Sequence, residues 1–344
     1  MTVVAVSATP PVRRPVPATR GAAAGGGTAA WIDAGAVVSV ERPMLGGSVG
    51  IHLQTGNAPG DEARARREAL QRLDRIAVWA ARLTRFAPTS DLVRLNGAPG
   101  SRVPVRPTLA AVLDWGRAAQ GLSDGIVDIA LLDARLAAEG IGSWPTQSAR
   151  PSAASRGWSI DRGSRGSDIL RPAGLSFDLD GVAKGWLADR ALSRLAAHRW
   201  VAVDVDGDIA IRVERDRRVR FGVADPRTSG CVLVELELAG PEAGGQRAFG
   251  LATSGTTIHR WTVDDQPSHH LIDPRTGRPA RTDVIQATVL AGSAREAEAI
   301  AKSAVILGSE ASLERLDRAG VYAAVLLTEG GDVLLTPSTA RWLG

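Results

Sequence analysis

From Asp61 to Leu83 apolar residues recur at helical spacing, with Leu70, Leu73, Ile76, Ala77, Ala80 and Leu83 on one side and arginines opposite. A helix this long with one apolar stripe is expected to lie on a sheet. Strand texture is legible on both sides of it. Gly35 to Gln54 carries Val37, Val38 and Val40 before Pro43 and Val49, Ile51 and Leu53 after it, with a turn at Met44-Leu45-Gly46-Gly47. Leu175–Leu179, Trp200–Val205, Val219–Val223, Val232–Leu238 and Val284–Leu290 also read as strands, and Val321–Leu335 as a hairpin turning at Gly330-Gly331. Further helices are predicted over Thr108–Gly121, over Val182–His198 with Trp186, Leu187, Leu192 and Leu195 inward, and over Ala294–Leu307. Strand runs separated by single helices, without regular β-α-β alternation, predict an α+β fold of mixed sheets with flanking helices.

Residues 1–34 contain Pro10-Pro11, Arg13-Arg14 and Gly25-Gly26-Gly27 and predict a disordered Ala/Gly/Pro tail. Residues 35–344 are expected to form a single domain, or two packed subdomains with the break within 140–174, where Ser, Gly and Arg accumulate and a mobile surface excursion is expected. The net charge is only +4, and all 41 basic residues except Lys184 and Lys302 are arginines. No basic run is interleaved with aromatics, which argues against nucleic-acid binding. The single cysteine, Cys231, rules out an internal disulfide framework and is expected at a packed strand position. No window approaches a membrane span, and the first 30 residues hold neither an apolar h-region nor a cysteine for a lipid anchor, so a cytoplasmic location is expected.

Three stretches concentrate chemistry. Asp178-Leu179-Asp180-Gly181-Val182-Ala183-Lys184-Gly185 reads as a strand-to-helix junction, which can offer free N–H groups and a positive helix end to an anion. Gly181 and Gly185 permit close approach and Lys184 suits phosphate, although ordinary turn chemistry explains the same glycines. Leu251 to Pro279 holds Thr253-Ser254-Gly255, His259 and His269-His270-Leu271-Ile272-Asp273-Pro274-Arg275-Thr276-Gly277. Adjacent residues on an extended segment face opposite sides, so one histidine of the pair should point inward and a shared metal ion is disfavoured. Asp-Pro-Arg-Thr-Gly is equally good turn sequence. In Ala294–Leu307, Glu298 and Lys302 stand four apart on one helix face, where a surface ion pair is the plain reading.

In this order, and with Ser90-Asp91-Leu92-Val93-Arg94-Leu95-Asn96 and Gly125-Ile126-Val127-Asp128-Ile129, the stretches resemble the ApbE-type family of FAD:protein FMN transferases over roughly Met44 to Gly308. The resemblance implies cleavage of the FAD pyrophosphate and transfer of FMN to a Ser or Thr hydroxyl of an acceptor protein, with release of AMP. It places FAD against Leu45, Phe86, Ile126, Val127, Asp128, Asp178, Lys184, Thr253, Ser254, Gly255 and Ile272, with His270 where a proton carrier would help.

The resemblance also implies a Mg²⁺ ion held by a backbone oxygen at the junction, here Gly181, and by oxygen side chains on the later helix, here within Glu298 to Lys302. Glu298 keeps a carboxylate, but Ala301 has no donor atom and the Lys302 ammonium has no lone pair and repels a cation. Gly47 and Ala130 stand where the family usually has threonine. Two expectations follow. One is a transferase whose metal site is rearranged around Lys302; the other is an FAD-binding or flavin-delivery protein without transfer chemistry.

Overall fold

The structure, a computed structural model, describes residues 4–6, 29–31, 37–56, 58–144, 157–164, 166–196, 198–318 and 321–344. Its centre is a nine-stranded sheet in which every neighbouring pair is antiparallel. From edge to edge the order is Val4–Val6, Val333–Leu335, Ala323–Thr328, Val284–Ala291, Gln246–Gly255, Asp208–Glu214, Trp200–Val205, Gly47–Gln54 and Val37–Met44. Its inner strands are apolar along most of their length because both faces are covered; every residue of Ala323–Thr328 is buried. On one face lie the helices Asp61–Leu83, Ala183–Leu192 and Ala294–Leu307. On the other lies a three-stranded sheet of Val232–Ala239, Arg218–Ala224 and Ala29–Trp31, with Trp200, Phe221 and Phe249 buried between the two sheets.

The Asp61–Leu83 helix buries Ala65, Ala69, Leu73, Ile76, Trp79, Ala80 and Leu83, with Leu70 and Ala77 at the margin of the stripe. Trp79 meets Trp186 of the Ala183–Leu192 helix edge-on at 6.4 Å. The first hairpin turns at Leu45 and Gly46, and another at Asp206 and Gly207, each pair with positive φ as a two-residue hairpin turn requires.

Four expectations change. Leu175–Leu179 is not a strand: the Asn96 side chain accepts from Phe177 N–H at 2.9 Å and donates to Phe177 C=O at 2.8 Å, and Asp178 N–H donates to Ile129 C=O at 2.7 Å. These bonds replace a ladder. The helix after the junction runs only from Ala183 to Leu192, ending where the Ser193 hydroxyl bonds back to Arg190 C=O at 3.0 Å. Within the 140–174 excursion, Ser159–Gly163 and Gly166–Leu170 form a hairpin joined to Arg102–Val105, while 145–156 lie outside the described residues. Cys231 is half-buried in a turn just before its strand, its N–H donating to Thr228 C=O at 3.1 Å. The tail expected at 1–34 falls mostly outside the described residues; the exceptions are the edge strands Val4–Val6 and Ala29–Trp31.

The seat of the Ala294–Leu307 helix positions the site. Its first N–H groups, Ala294 and Arg295, donate to the Asp189 carboxylate at 3.0 and 3.1 Å, so a side chain of the neighbouring helix caps it. A Cβ at Gly250 would lie 1.9 Å from the Ser293 carbonyl carbon, and one at Gly185 would lie 2.6 Å from Ala294 O. Only glycine permits either approach. Gly250→Ala should therefore lower stability by roughly 2 kcal/mol or more, whereas Gly121→Ala, in open helical space, should raise it by up to about 1 kcal/mol. Denaturant melts of the two variants check this, and equal effects would contradict the packing argument.

Candidate active site

The junction is held from behind. Ser90 caps the helix Asp91–Gly97 by accepting from Val93 N–H at 3.0 Å, which orients Asn96 toward Phe177. Buried Arg171 donates to Leu95 and Ala98 carbonyls, each at 2.7 Å, and to Leu175 C=O. Helix end and junction are thus clamped together, and Asp178 and Asp180 project from a fixed segment.

They open into a cleft lined by Ile126, Asp128, Leu131, Arg135, Asp178, Asp180, His270, Ile272 and Lys302. Ile126, Leu131 and Ile272 make it apolar in part. The Lys302 ammonium donates to Asp180 C=O at 2.7 Å. It lies over Gly181, where a Cβ would come 2.4 Å from Nζ and where φ is +93°. Arg135 stacks over the Trp261 ring at 4.8 Å and pairs with Glu139 at 2.5 Å, while Asp178 and Asp180 are each 3.9 Å from its guanidinium. Burial raises the Asp178 carboxyl, and nearby Asp180 adds to that, with Lys302 opposing. Burial alone would raise Asp180 too, but His270 when protonated, Lys302, Lys184 and Arg135 hold it below its ordinary value.

The two adjacent histidines part company as their extended backbone requires. His269 is tied down, with Nε2 2.9 Å from Ala280 O and Nδ1 accepting from Leu271 N–H at 3.2 Å. His270 faces the cleft, edge-on to His259 at 5.4 Å, and its buried Nδ1 has no hydrogen-bond partner among the described residues. Burial pushes its pKa down to about 3, with Asp180 opposing and Lys302 and Arg135 reinforcing. It is a neutral imidazole at physiological pH.

Beside the cleft is a second charge cluster. Lys184 Nζ lies 3.3 Å from Asp208 and 3.8 Å from Asp206 and donates to Asp206 C=O at 3.2 Å. Burial would lower its pKa, but Asp208, Asp206, Glu298 and Asp180 raise it, so this lysine stays charged. Glu298 accepts from Gly185 N–H at 2.9 Å, and burial followed by Asp208 pushes its carboxyl well up. Val182 and Ala183 N–H groups donate to Leu179 C=O at 3.2 and 3.1 Å. The helix start expected to meet an anion is therefore largely satisfied from within, and Lys184 already has carboxylate partners.

Of the remaining predicted residues, Leu45 and Phe86 are exposed, Phe86 with Arg85 over its ring at 4.2 Å, while Val127 is buried in the core. Thr253, Ser254 and Gly255 end a sheet strand against Thr288, Ala287 and Gln286, with Thr253 and Thr288 hydroxyls 2.8 Å apart. None of these six lines the cleft. At Gly47 a Cβ would lie 1.9 Å from Asp206 Oδ1, so the close approach of that carboxylate needs glycine there. Sequence reasoning missed Leu131 and Arg135 as cleft residues; with Asp128 they fall three and seven residues along the chain, and Arg135 pairs with Glu139 four residues on.

At the turn carrying Asp206 and Asp208, burial pushes the Asp204 carboxyl up to about 7 from 3.8, with the 2.8 Å bond from Gly207 N–H opposing. Between those values the folded chain keeps a proton that the unfolded chain has lost. The group costs nothing below the lower value, costs progressively more as pH rises to the upper one, and levels off above it. Asp204→Asn, which retains an acceptor for Gly207, should match the wild type near about pH 4 and exceed it by about 1–2 kcal/mol near about pH 8, the site being partly exposed. Unfolding curves at both pH values test this; an equal gap at both would mean that Asp204 titrates normally.

Comparison with known proteins places these boxes in context. Residues 45–326 match the model of the ApbE family. A FAD:protein FMN transferase of Treponema pallidum (strain Nichols) is 30% identical over 158 residues, covering 42% of this chain and 41% of that protein. One from Escherichia coli (strain K12) is 30% identical over 168 residues, covering 47% and 45%. The chain thus spans less than half the length of these relatives. Among solved structures, the ApbE protein of Thermotoga maritima superposes with a TM-score of 0.72 at 22% identity, covering 90% of this chain and 100% of that one. The apo form of the Pseudomonas stutzeri flavinyl transferase ApbE gives 0.67 at 20% identity, covering 90% and 97%. One family's model spans the junction, the histidine box and the later helix together, and the fold is shared with its solved members: the chain belongs to the ApbE family.

Proposed function

We propose that this chain binds FAD in the cleft and transfers its FMN half to a Ser or Thr hydroxyl of an acceptor protein, releasing AMP. The carrying observation is the two-sided chemistry of the cleft. Ile126, Leu131 and Ile272 can cover an apolar ring, while Arg135 and Lys302 offer cations to a diphosphate and Asp128 and Asp178 offer acceptors to donors of the nucleotide. The relatives' names as FAD:protein FMN transferases support the same reading.

In the transfer, the acceptor hydroxyl oxygen attacks the phosphorus on the FMN side, a phosphoester forms, and the bond to the AMP half breaks with its electron pair leaving on AMP. The hydroxyl proton departs to the AMP phosphate or solvent. His270 is a weak base at a pKa of about 3, so its part is to orient the hydroxyl through a neutral imidazole. A loose phosphoryl-transfer transition state asks little more of a base.

The divalent ion implied by the family resemblance does not fit these residues. Ala301 offers no donor, Glu298 faces Gly185 N–H and Asp208, and the Lys302 ammonium already sits on Asp180 C=O. A dication about 4 Å from that ammonium is disfavoured by roughly 8 kcal/mol at an effective dielectric near 20, before screening. The same misfit favours a second reading, a protein that holds FAD without transferring it.

FAD should bind at least about tenfold more tightly than riboflavin, because only FAD carries phosphates for the cations. Flavin-fluorescence titration measures the ratio, and chromatography of AMP after incubation with FAD separates the readings. Equal affinities would remove the diphosphate from the cleft, and binding without any AMP would leave the holding protein.

A further inference from the structure

We propose that Lys302 and Arg135 are a built-in cation pair for the diphosphate of the nucleotide, standing in for a divalent ion, so that FAD binding is independent of Mg²⁺. The inference rests on the FAD reading above. Its first ground is residue choice. Lysine fills two of the chain's 41 basic positions, and both ammonium groups lie within the same acidic neighbourhood. An ammonium is a compact point charge with three donors, whereas a guanidinium is a planar fork. The ammonium lies above Gly181, 2.7 Å from Asp180 C=O, and that bond uses one of its three donors.

Arg135 gives the second, independent ground. Its residue is 6% exposed, it lines the cleft, and its Nε–H has no acceptor within hydrogen-bond distance among the described residues. Asp178 lies too far from it, at 3.9 Å, to complete it. A buried donor left open on a charged group is costly, and an anionic oxygen arriving in the cleft would close it. Glu139 and the Trp261 face hold the guanidinium from behind, as Asp180 holds the ammonium. Two cations fixed by the protein can therefore flank a diphosphate with no ion between them.

Calorimetric titration of the full chain with FAD and with riboflavin, each in EDTA and in millimolar Mg²⁺, tests this. The wild-type Kd for FAD should agree within about twofold between the two buffers. Lys302→Met and Arg135→Gln should each weaken FAD by about tenfold or more while leaving riboflavin unchanged, the value of a lost charge-assisted hydrogen bond. The wild-type comparison needs no variant, so a misfolded substitution does not blunt the test. FAD binding that requires Mg²⁺ would overturn the cation pair and leave the FAD reading standing, as would a Lys302→Met protein with an unchanged FAD-to-riboflavin ratio. Failure of the wild type to bind FAD in either buffer would overturn both.

Discussion

The seating of one helix start governs the rest of the molecule. Ala294 and Arg295 can reach the Asp189 carboxylate only because Gly185 and Gly250 leave backbone touching backbone on either side. That contact fixes the helix axially. Glu298, one turn in, then meets Gly185 N–H, and Lys302, a further turn on, meets Asp180 C=O. The sheet, the junction and the cleft are joined through three side chains, Asp189, Glu298 and Lys302, and two missing ones.

Around this seat the lysines and Arg135 answer neighbouring carboxylates. Lys184 answers Asp206, Asp208 and Glu298, while Lys302 and Arg135 answer Asp178 and Asp180. Several of the carboxyls respond to burial by moving upward, Asp208 to about 6 and Asp204 to about 7, with burial the leading cause in both. The cluster thus approaches neutrality partly by holding protons and partly by ammonium groups. A divalent ion would be a third means of doing the same thing, and on the proposal above the Lys302 ammonium stands in its place.

Much of this was legible in the sequence, unevenly. The long amphipathic helix, the first hairpin and the strand Val284–Ala291 follow from periodicity, because their apolar faces meet a covered sheet. Leu175–Leu179 misled because its alternation is real, yet its partner is the Asn96 amide, which no local pattern reveals. Asp208–Glu214 and Gln246–Gly255 are central strands whose charged or glycine residues break the run. At the site, the boxes pointed to Asp178, His270, Ile272 and Lys302, all of which meet in one cleft. The spacing of Lys184 from Gly181 and Gly185 suits a phosphate but says nothing of Asp206 and Asp208, which a distant hairpin brings beside it. Arg135 was missed for the converse reason: on its helix it reads as a solvated charge, and only the tertiary fold closes Trp261 over it.

On the proposal above, protein cations rather than an ion meet the nucleotide beside Asp180. The most direct measurement is a crystal structure of the FAD complex grown with Mn²⁺ present, using the metal's anomalous scattering to locate any bound ion. The diphosphate should lie within hydrogen-bond reach of Lys302 Nζ and Arg135 Nε, with no anomalous peak between Asp180 O and the phosphates. A peak at that carbonyl, with the Lys302 side chain swung away from it, would show that an ion and not the ammonium meets the nucleotide.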